Sequence, residues 1–125
     1  MPIRILYAED DRSIQEFVSG HLALEGFEVK TAADGEEAIT LLDNESFDIV
    51  LLDIEMPKMD GLEVLRYIKS RHIDVRPIML TGADDLIALN ECAKQGALDY
   101  LPKPYNFHEL MDSIERVSAE AIHTG

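Results

Sequence analysis

Between Phe47 and Gly61 the chain reads F-D-I-V-L-L-D-I-E-M-P-K-M-D-G. Ile49-Val50-Leu51-Leu52 is apolar without alternation, which suits a strand buried on both faces, as in a parallel sheet. The run stops at one carboxylate, Asp53. Pro57 and Asp60-Gly61 then form turns, and beyond them Leu62, Leu65 and Ile68 fall at helical spacing. Strand, loop and helix in this order restrict the fold to α/β layers. They also put Asp53 at the carboxyl end of its strand, the end at which open α/β sheets bind ligands. Taken alone, Asp53 could equally brace its own loop.

The rest of the chain repeats the unit. Ile3 to Ala8 (I-R-I-L-Y-A) reads as a strand ending in Glu9-Asp10-Asp11. Ile14, Phe17, Val18, His21 and Leu22 follow at helical spacing, and Gly26 suits the left-handed residue that ends a helix. Phe27 to Thr31 reads as a second strand. Asp34 is expected to cap the next helix, with Glu37 as its capping-box partner and Ala38, Leu41 and Leu42 on the buried side. Pro77 to Leu80 reads as a fourth strand, ending in Thr81-Gly82-Ala83. Asp84 or Asp85 is expected to cap a helix that Gly96 stops. Ala97 to Leu101 reads as a fifth strand, ending in Pro102-Lys103-Pro104. Asn106 is expected to cap a last helix striped by Phe107, Leu110, Met111, Ile114 and Val117.

Five strands alternating with five helices predict a doubly wound (βα)5 parallel sheet with helices on both faces. Right-handed crossovers leave few topologies, among them the flavodoxin-like order 2-1-3-4-5. At 125 residues, with 46% hydrophobic and 29% charged, the chain is expected to be one soluble domain spanning 1–125, without a further output domain. No apolar run reaches the roughly 20 residues of a membrane span, and no signal-peptide pattern is present. The single cysteine, Cys92, excludes a disulfide framework, and a cytoplasmic setting is the expectation. With 25 acidic against 11 basic residues the net charge is -14, which argues against nucleic-acid binding. Most of the acids read as solvated helix faces.

A parallel sheet sends every strand end to one edge. Glu9, Asp10 and Asp53 should therefore converge, with the Thr81 hydroxyl and the Lys103 ammonium beside them. Three close carboxylates repel unless a cation sits among them. An all-oxygen cluster of this kind suits Mg²⁺. Lys103 and Thr81 can hold phosphoryl oxygens, by charge and by hydrogen bond. The set reads as a carboxylate nucleophile accepting a phosphoryl group.

With Glu9-Asp10, Asp53 in L-L-D-I-E-M-P-K-M-D-G, Thr81-Gly82 and Lys103-Pro104 in this order, the chain resembles the receiver domain of two-component response regulators over essentially its whole length. The resemblance implies a signalling switch in which Asp53 is phosphorylated from a phosphohistidine on a sensor histidine kinase or histidine phosphotransfer protein. It implies that Glu9, Asp10, Asp53 and the backbone carbonyl of Glu55 hold Mg²⁺, and that Lys103 pairs with the phosphoryl group across a cis Lys103-Pro104 bond. It implies that Thr81 and Tyr100 form a switch pair, and that the helix 4, strand 5 and helix 5 face docks an effector or a second copy. Glu9 departs mildly from the pattern, since many receivers carry Asp there. Glu55 and Ala83 occupy positions that affect phosphoryl lifetime in the family.

Two other classes compete. A phosphohydrolase of the haloacid-dehalogenase type also uses a strand-end aspartate and Mg²⁺, but needs a second aspartate where this chain has Glu55. A flavodoxin-like cofactor binder needs a phosphate loop after the first strand, where this chain has acids. His21, His72, His108 and His123 share no spacing and read as surface residues. Cys92 reads as helix packing, and Met56 and Met59 as loop packing.

Overall fold

The computed structural model describes residues 2–82 and 86–124. Its elements alternate as β1 (Arg4–Ala8), α1 (Arg12–Leu24), β2 (Glu28–Ala32), α2 (Gly35–Asn44), β3 (Ile49–Asp53), α3 (Gly61–Ser70), β4 (Arg76–Thr81), α4 (Leu86–Lys94), β5 (Asp99–Pro102) and α5 (Phe107–Thr124). The five strands form one parallel sheet in the order β2-β1-β3-β4-β5. This is the expected topology, and strand ends shift from the expectation by only one or two residues. The Asp84 or Asp85 cap lies outside the described residues, as do Ala83 and the His123 side chain.

Strand side chains alternate between two cores. Ile5, Tyr7, Ile49, Leu51, Ile78 and Leu80 meet Val18 and Leu22 of α1 and Leu110, Ile114 and Val117 of α5. Leu6, Ala8, Val50, Leu52 and Met79 face the other way, onto Ala38 and Leu42 of α2, Val64, Leu65 and Ile68 of α3, and Cys92 of α4. All five residues of β3 are buried, because the strand is central and covered on both sides. Cys92 is part of that core, and burial raises its thiol pKa.

Local chemistry sets the helix ends. Asp11, Asp34, Asp60 and Asn106 each accept a hydrogen bond from the backbone three residues on. Gly26 and Gly96 take left-handed φ of 95° and 98° after α1 and α4. One cap differs from expectation. The Glu37 carboxylate reaches back to the amide of Ala33, not Asp34, so α2 lacks a true capping box. The reciprocal box occurs at Asp60 and Glu63 instead.

At the amino-terminal edge of the sheet, Arg4 is a hub. Its guanidinium bonds Glu28, Glu45 and the carbonyl of Ser46, and lies over the Phe47 ring. Its amide bonds Asp48. The opposite edge carries the acids.

Candidate functional site

Every strand leaves the sheet at that opposite edge. β1 delivers Glu9 and Asp10, β3 ends on Asp53, β4 on Thr81, and β5 leads into Lys103. Carboxylate oxygens of Glu9, Asp10 and Asp53 lie within 4.8 Å of one another. Glu9 and Asp53 are buried, at 1% and 4% exposure, whereas Asp10 is open to solvent. Lys103 Nζ sits 2.7 Å from Asp53 Oδ2 and 3.4 Å from Glu9 Oε1. These groups line an open cleft of about 850 Å³ that also takes in Asp11, Glu55, Met56 and Gly82. The residues picked from the sequence as acid cluster and counter-charge are thus gathered in one place.

The backbone holds the acids in position. The Glu55 amide donates to Asp53 Oδ1 at 3.1 Å, while the Glu55 side chain is exposed. The Asp11 amide donates to Glu9 Oε2 at 3.1 Å, and the Gln15 amide group donates to the carbonyl of Glu9. Lys103 N donates to the carbonyl of Thr81, joining β5 to the end of β4. The Lys103-Pro104 bond is cis, as expected. Thr81 is buried, with 4% exposure. Tyr100 is 51% exposed, so its ring lies outside the fold.

Electrostatics follow from this packing. Burial raises the Glu9 pKa, and the Asp53 charge adds to this, against the opposing effect of the Asp11 amide and Lys103. Burial alone would lower the Lys103 pKa; the hydrogen bond and charge of Asp53, with Glu9, outweigh it and raise it. Lys103 therefore stays cationic. One ammonium against three carboxylates leaves the cleft strongly negative. Hard oxygen donors at these separations, partly open to water, fit a Mg²⁺ ion that keeps several waters.

Two supports escaped the sequence reading because they are non-local. Gly61, at the start of α3, runs against the backbone of Asp53 and Ile54, and its amide donates to the Ile54 carbonyl at 2.9 Å. A Cβ at Gly61 would meet the Asp53 carbonyl carbon at 2.9 Å. The loop between β3 and α3 is pinned from the other side by Gly35, which packs against Met59, and by Lys58, which takes φ 67° and pairs with Asp34 at 3.6 Å. Met56 and Met59 pack on the core below, as expected. His21 corrects the expectation of a surface histidine: it is half-buried, its ring 4.5 Å from that of Phe17 and 4.9 Å from that of Phe107. His72 and His108 are exposed.

A doubly wound sheet with an acid cleft and an opposed lysine at its carboxyl edge defines a receiver-type α/β domain. The chain belongs to the family described as response regulator receiver domain, which it matches over residues 5–115. It is similar to response regulator MprA of Mycobacterium sp. (strain KMS), with 41% identity over 111 residues, covering 89% of this chain and 48% of that protein. The chain spans about half the length of the curated relatives it matches. A CheY-like response regulator receiver domain protein from Methanospirillum hungatei JF-1 shares the fold at a TM-score of 0.95, with 32% identity and 100% of both chains covered. Chemotaxis protein CheY4 of Vibrio cholerae superposes with a TM-score of 0.88 at 32% identity, covering 94% of this chain and 99% of that one. Among the described residues no helix is long and apolar enough to cross a membrane.

Proposed function

We propose that Asp53 is the phospho-acceptor of this receiver domain. An Asp53 carboxylate oxygen attacks phosphorus in line with a phosphohistidine donor. The new O–P bond forms as the N–P bond breaks, and the donor imidazole leaves with the bonding pair and takes up a proton. The carrying observation is Lys103 Nζ at 2.7 Å from Asp53 Oδ2, within a cluster whose carboxylate oxygens lie inside 4.8 Å. Lys103 holds the phosphoryl oxygens by charge, and Thr81 supplies a hydroxyl to them. Glu9, Asp10, Asp53 and the carbonyl of Glu55 would hold Mg²⁺, which supplies charge neutralisation when bound. Glu9 is one methylene longer than aspartate, and the Asp11 amide on its Oε2 fixes the direction of its reach.

Phosphorylation then biases two states of the α4-β5-α5 face through Thr81 and Tyr100. On that face Ile87 is 83% exposed, Leu98 42% and Tyr100 51%, which suits docking of an effector or a second copy. The proposed donors are a sensor histidine kinase or a histidine phosphotransfer protein in the cytoplasm. The domain turns over its own phosphoryl group and acts on no separate substrate. No observation favours the phosphohydrolase alternative.

Intact mass after incubation with acetyl phosphate and Mg²⁺ tests the assignment. The expected result is one phosphoryl adduct on the parent and none on Asp53→Ala. An adduct that survives in Asp53→Ala, or steady hydrolysis of small phosphomonoesters, would overturn it.

A further inference from the structure

The loop that carries Glu55 from β3 toward α3 is held only weakly by its own backbone. Among the described residues, the one backbone bond within Met56 to Met59 runs from the Met59 amide to the Pro57 carbonyl, at 2.7 Å. A bond between residues two apart marks a γ-turn, and Lys58 at its centre takes φ 67°. That left-handed backbone suits glycine and strains a lysine. Strain in a site loop persists only where the surroundings impose it.

The corner between β2 and α2 imposes it here. The Asp34 carboxylate is buried, and its two oxygens have different tasks. Oδ1 accepts from the Glu37 amide and caps α2, while Oδ2 lies 3.6 Å from Lys58 Nζ. A buried carboxylate needs a partner for its charge. Among the described residues, Lys58 is the one cation paired with it. Gly35 comes next and leaves no room between α2 and Met59: a Cβ there would stand 2.7 Å from Met59 Cβ. The two residues that follow Pro57 are thus gripped by the two that open α2. Glycine at position 58 would relieve the turn but lose the ionic half of that grip. Glu55, Met56 and Pro57 line the acid cleft; among the described residues, Asp34 and Lys58 stand outside it.

We propose that Lys58 and Asp34 are positioning residues of the Mg²⁺ site: their ion pair holds the β3-α3 loop in the path that keeps Glu55 at the cleft, with its carbonyl in place before the ion arrives. This rests on the reading of Glu9, Asp10, Asp53 and the Glu55 carbonyl as the ligand set. Charge alone would act with opposite signs at the two positions, because a nearby cation repels Mg²⁺ and a nearby anion attracts it. Lys58→Gln would then tighten binding and Asp34→Asn would weaken it. Positioning weakens binding in both, and asparagine keeps the α2 cap.

Isothermal titration calorimetry of the whole chain with Mg²⁺ alone separates the two. Lys58→Gln should bind about twofold to fivefold more weakly than the parent, as expected for loss of a partly exposed ion pair, and Lys58→Arg should bind as the parent does. The Asp34→Asn, Lys58→Gln double variant should be no weaker than Asp34→Asn alone, since the pair is already broken. Lys58→Gly fits the turn without strain. Without Mg²⁺ its thermal midpoint should lie within about 4 °C of the parent, and it should still bind the ion more weakly, which separates positioning from loss of fold. A Lys58→Gln protein that binds Mg²⁺ as tightly as the parent, or more tightly, refutes this inference and leaves the ligand set standing. A parent that binds no Mg²⁺ overturns both.

Discussion

Gly61 offers a test in which two physical effects oppose each other. Replacing it with alanine should help if helix propensity governs, because glycine inside a helix costs about 0.5–1 kcal/mol relative to alanine. The structure says packing governs. The added methyl carbon would lie 2.9 Å from both the Asp53 carbonyl carbon and Ile54 Cα, and closer still to the Asp53 oxygen. Those atoms are backbone in and just after the central strand, and no rotamer change can move them aside. Overpacking of this kind costs about 1–3 kcal/mol, which outweighs the propensity gain. Gly20 is the control. It sits inside α1 with nothing within 4 Å of where its Cβ would be. Gly20→Ala should stabilise by about 0.5–1 kcal/mol, so one chemical change gives opposite signs at two sites. The chain has no tryptophan, so urea and thermal unfolding are best followed by far-ultraviolet circular dichroism. A midpoint fall of roughly 3–10 °C is expected for Gly61→Ala, and a rise of a few degrees for Gly20→Ala. Acetyl phosphate labelling should also slow in Gly61→Ala, because the methyl displaces the acceptor's own backbone. A Gly61→Ala protein as stable as the parent would refute the close approach and the reasoning built on it.

Further outcomes follow from the charges in the cleft and at the start of β5. Glu9 has a raised pKa, so the native state binds the proton that the unfolded state releases, and its contribution to stability is lost as pH rises above its ordinary value of 4.5. Glu9→Gln should therefore be more stable than the parent near pH 7 without Mg²⁺, as read by urea denaturation, and should gain less from added Mg²⁺. Magnesium at 100 times its dissociation constant should stabilise the parent by about 2.7 kcal/mol, and chelation should remove the gain in a thermal scan. Asp99 behaves in the opposite sense. Burial would raise its pKa, but the Ser113 hydroxyl, Arg116 and the Tyr100 amide outweigh it and lower it. Its stabilising contribution is present above the ordinary value of 3.8 and lost on acidification. Asp99→Ala should cost about 1–3 kcal/mol near pH 7, because it strands the wholly buried Ser113, and this difference should shrink in acid.

The acid cluster was legible because each member ends or directly follows an apolar run, and a parallel sheet brings such ends together. Asp53 after Ile49 to Leu52 needed no knowledge of distant contacts. Lys103 between two prolines was legible for the same reason. Gly61 was readable only as a turn former, since its true constraint is the backbone of Asp53 eight positions earlier. Gly35 against Met59 and His21 between Phe17 and Phe107 depend on pairs of elements, which periodicity does not encode. The capping boxes show how narrow the margin is. Asp34-x-x-Glu37 and Asp60-x-x-Glu63 carry the same pattern, and only the second closes reciprocally, because Glu37 turns to the Ala33 amide.

The Arg4 hub has a practical consequence. Its guanidinium ties β2, through Glu28, to the α2-β3 connection, through Glu45 and Ser46, so the edge farthest from the acids is cross-braced. A fluorophore or surface tether attached near Ser46 would report or hold the molecule from that end, and displacements of the acceptor loops could be read against it as an internal origin.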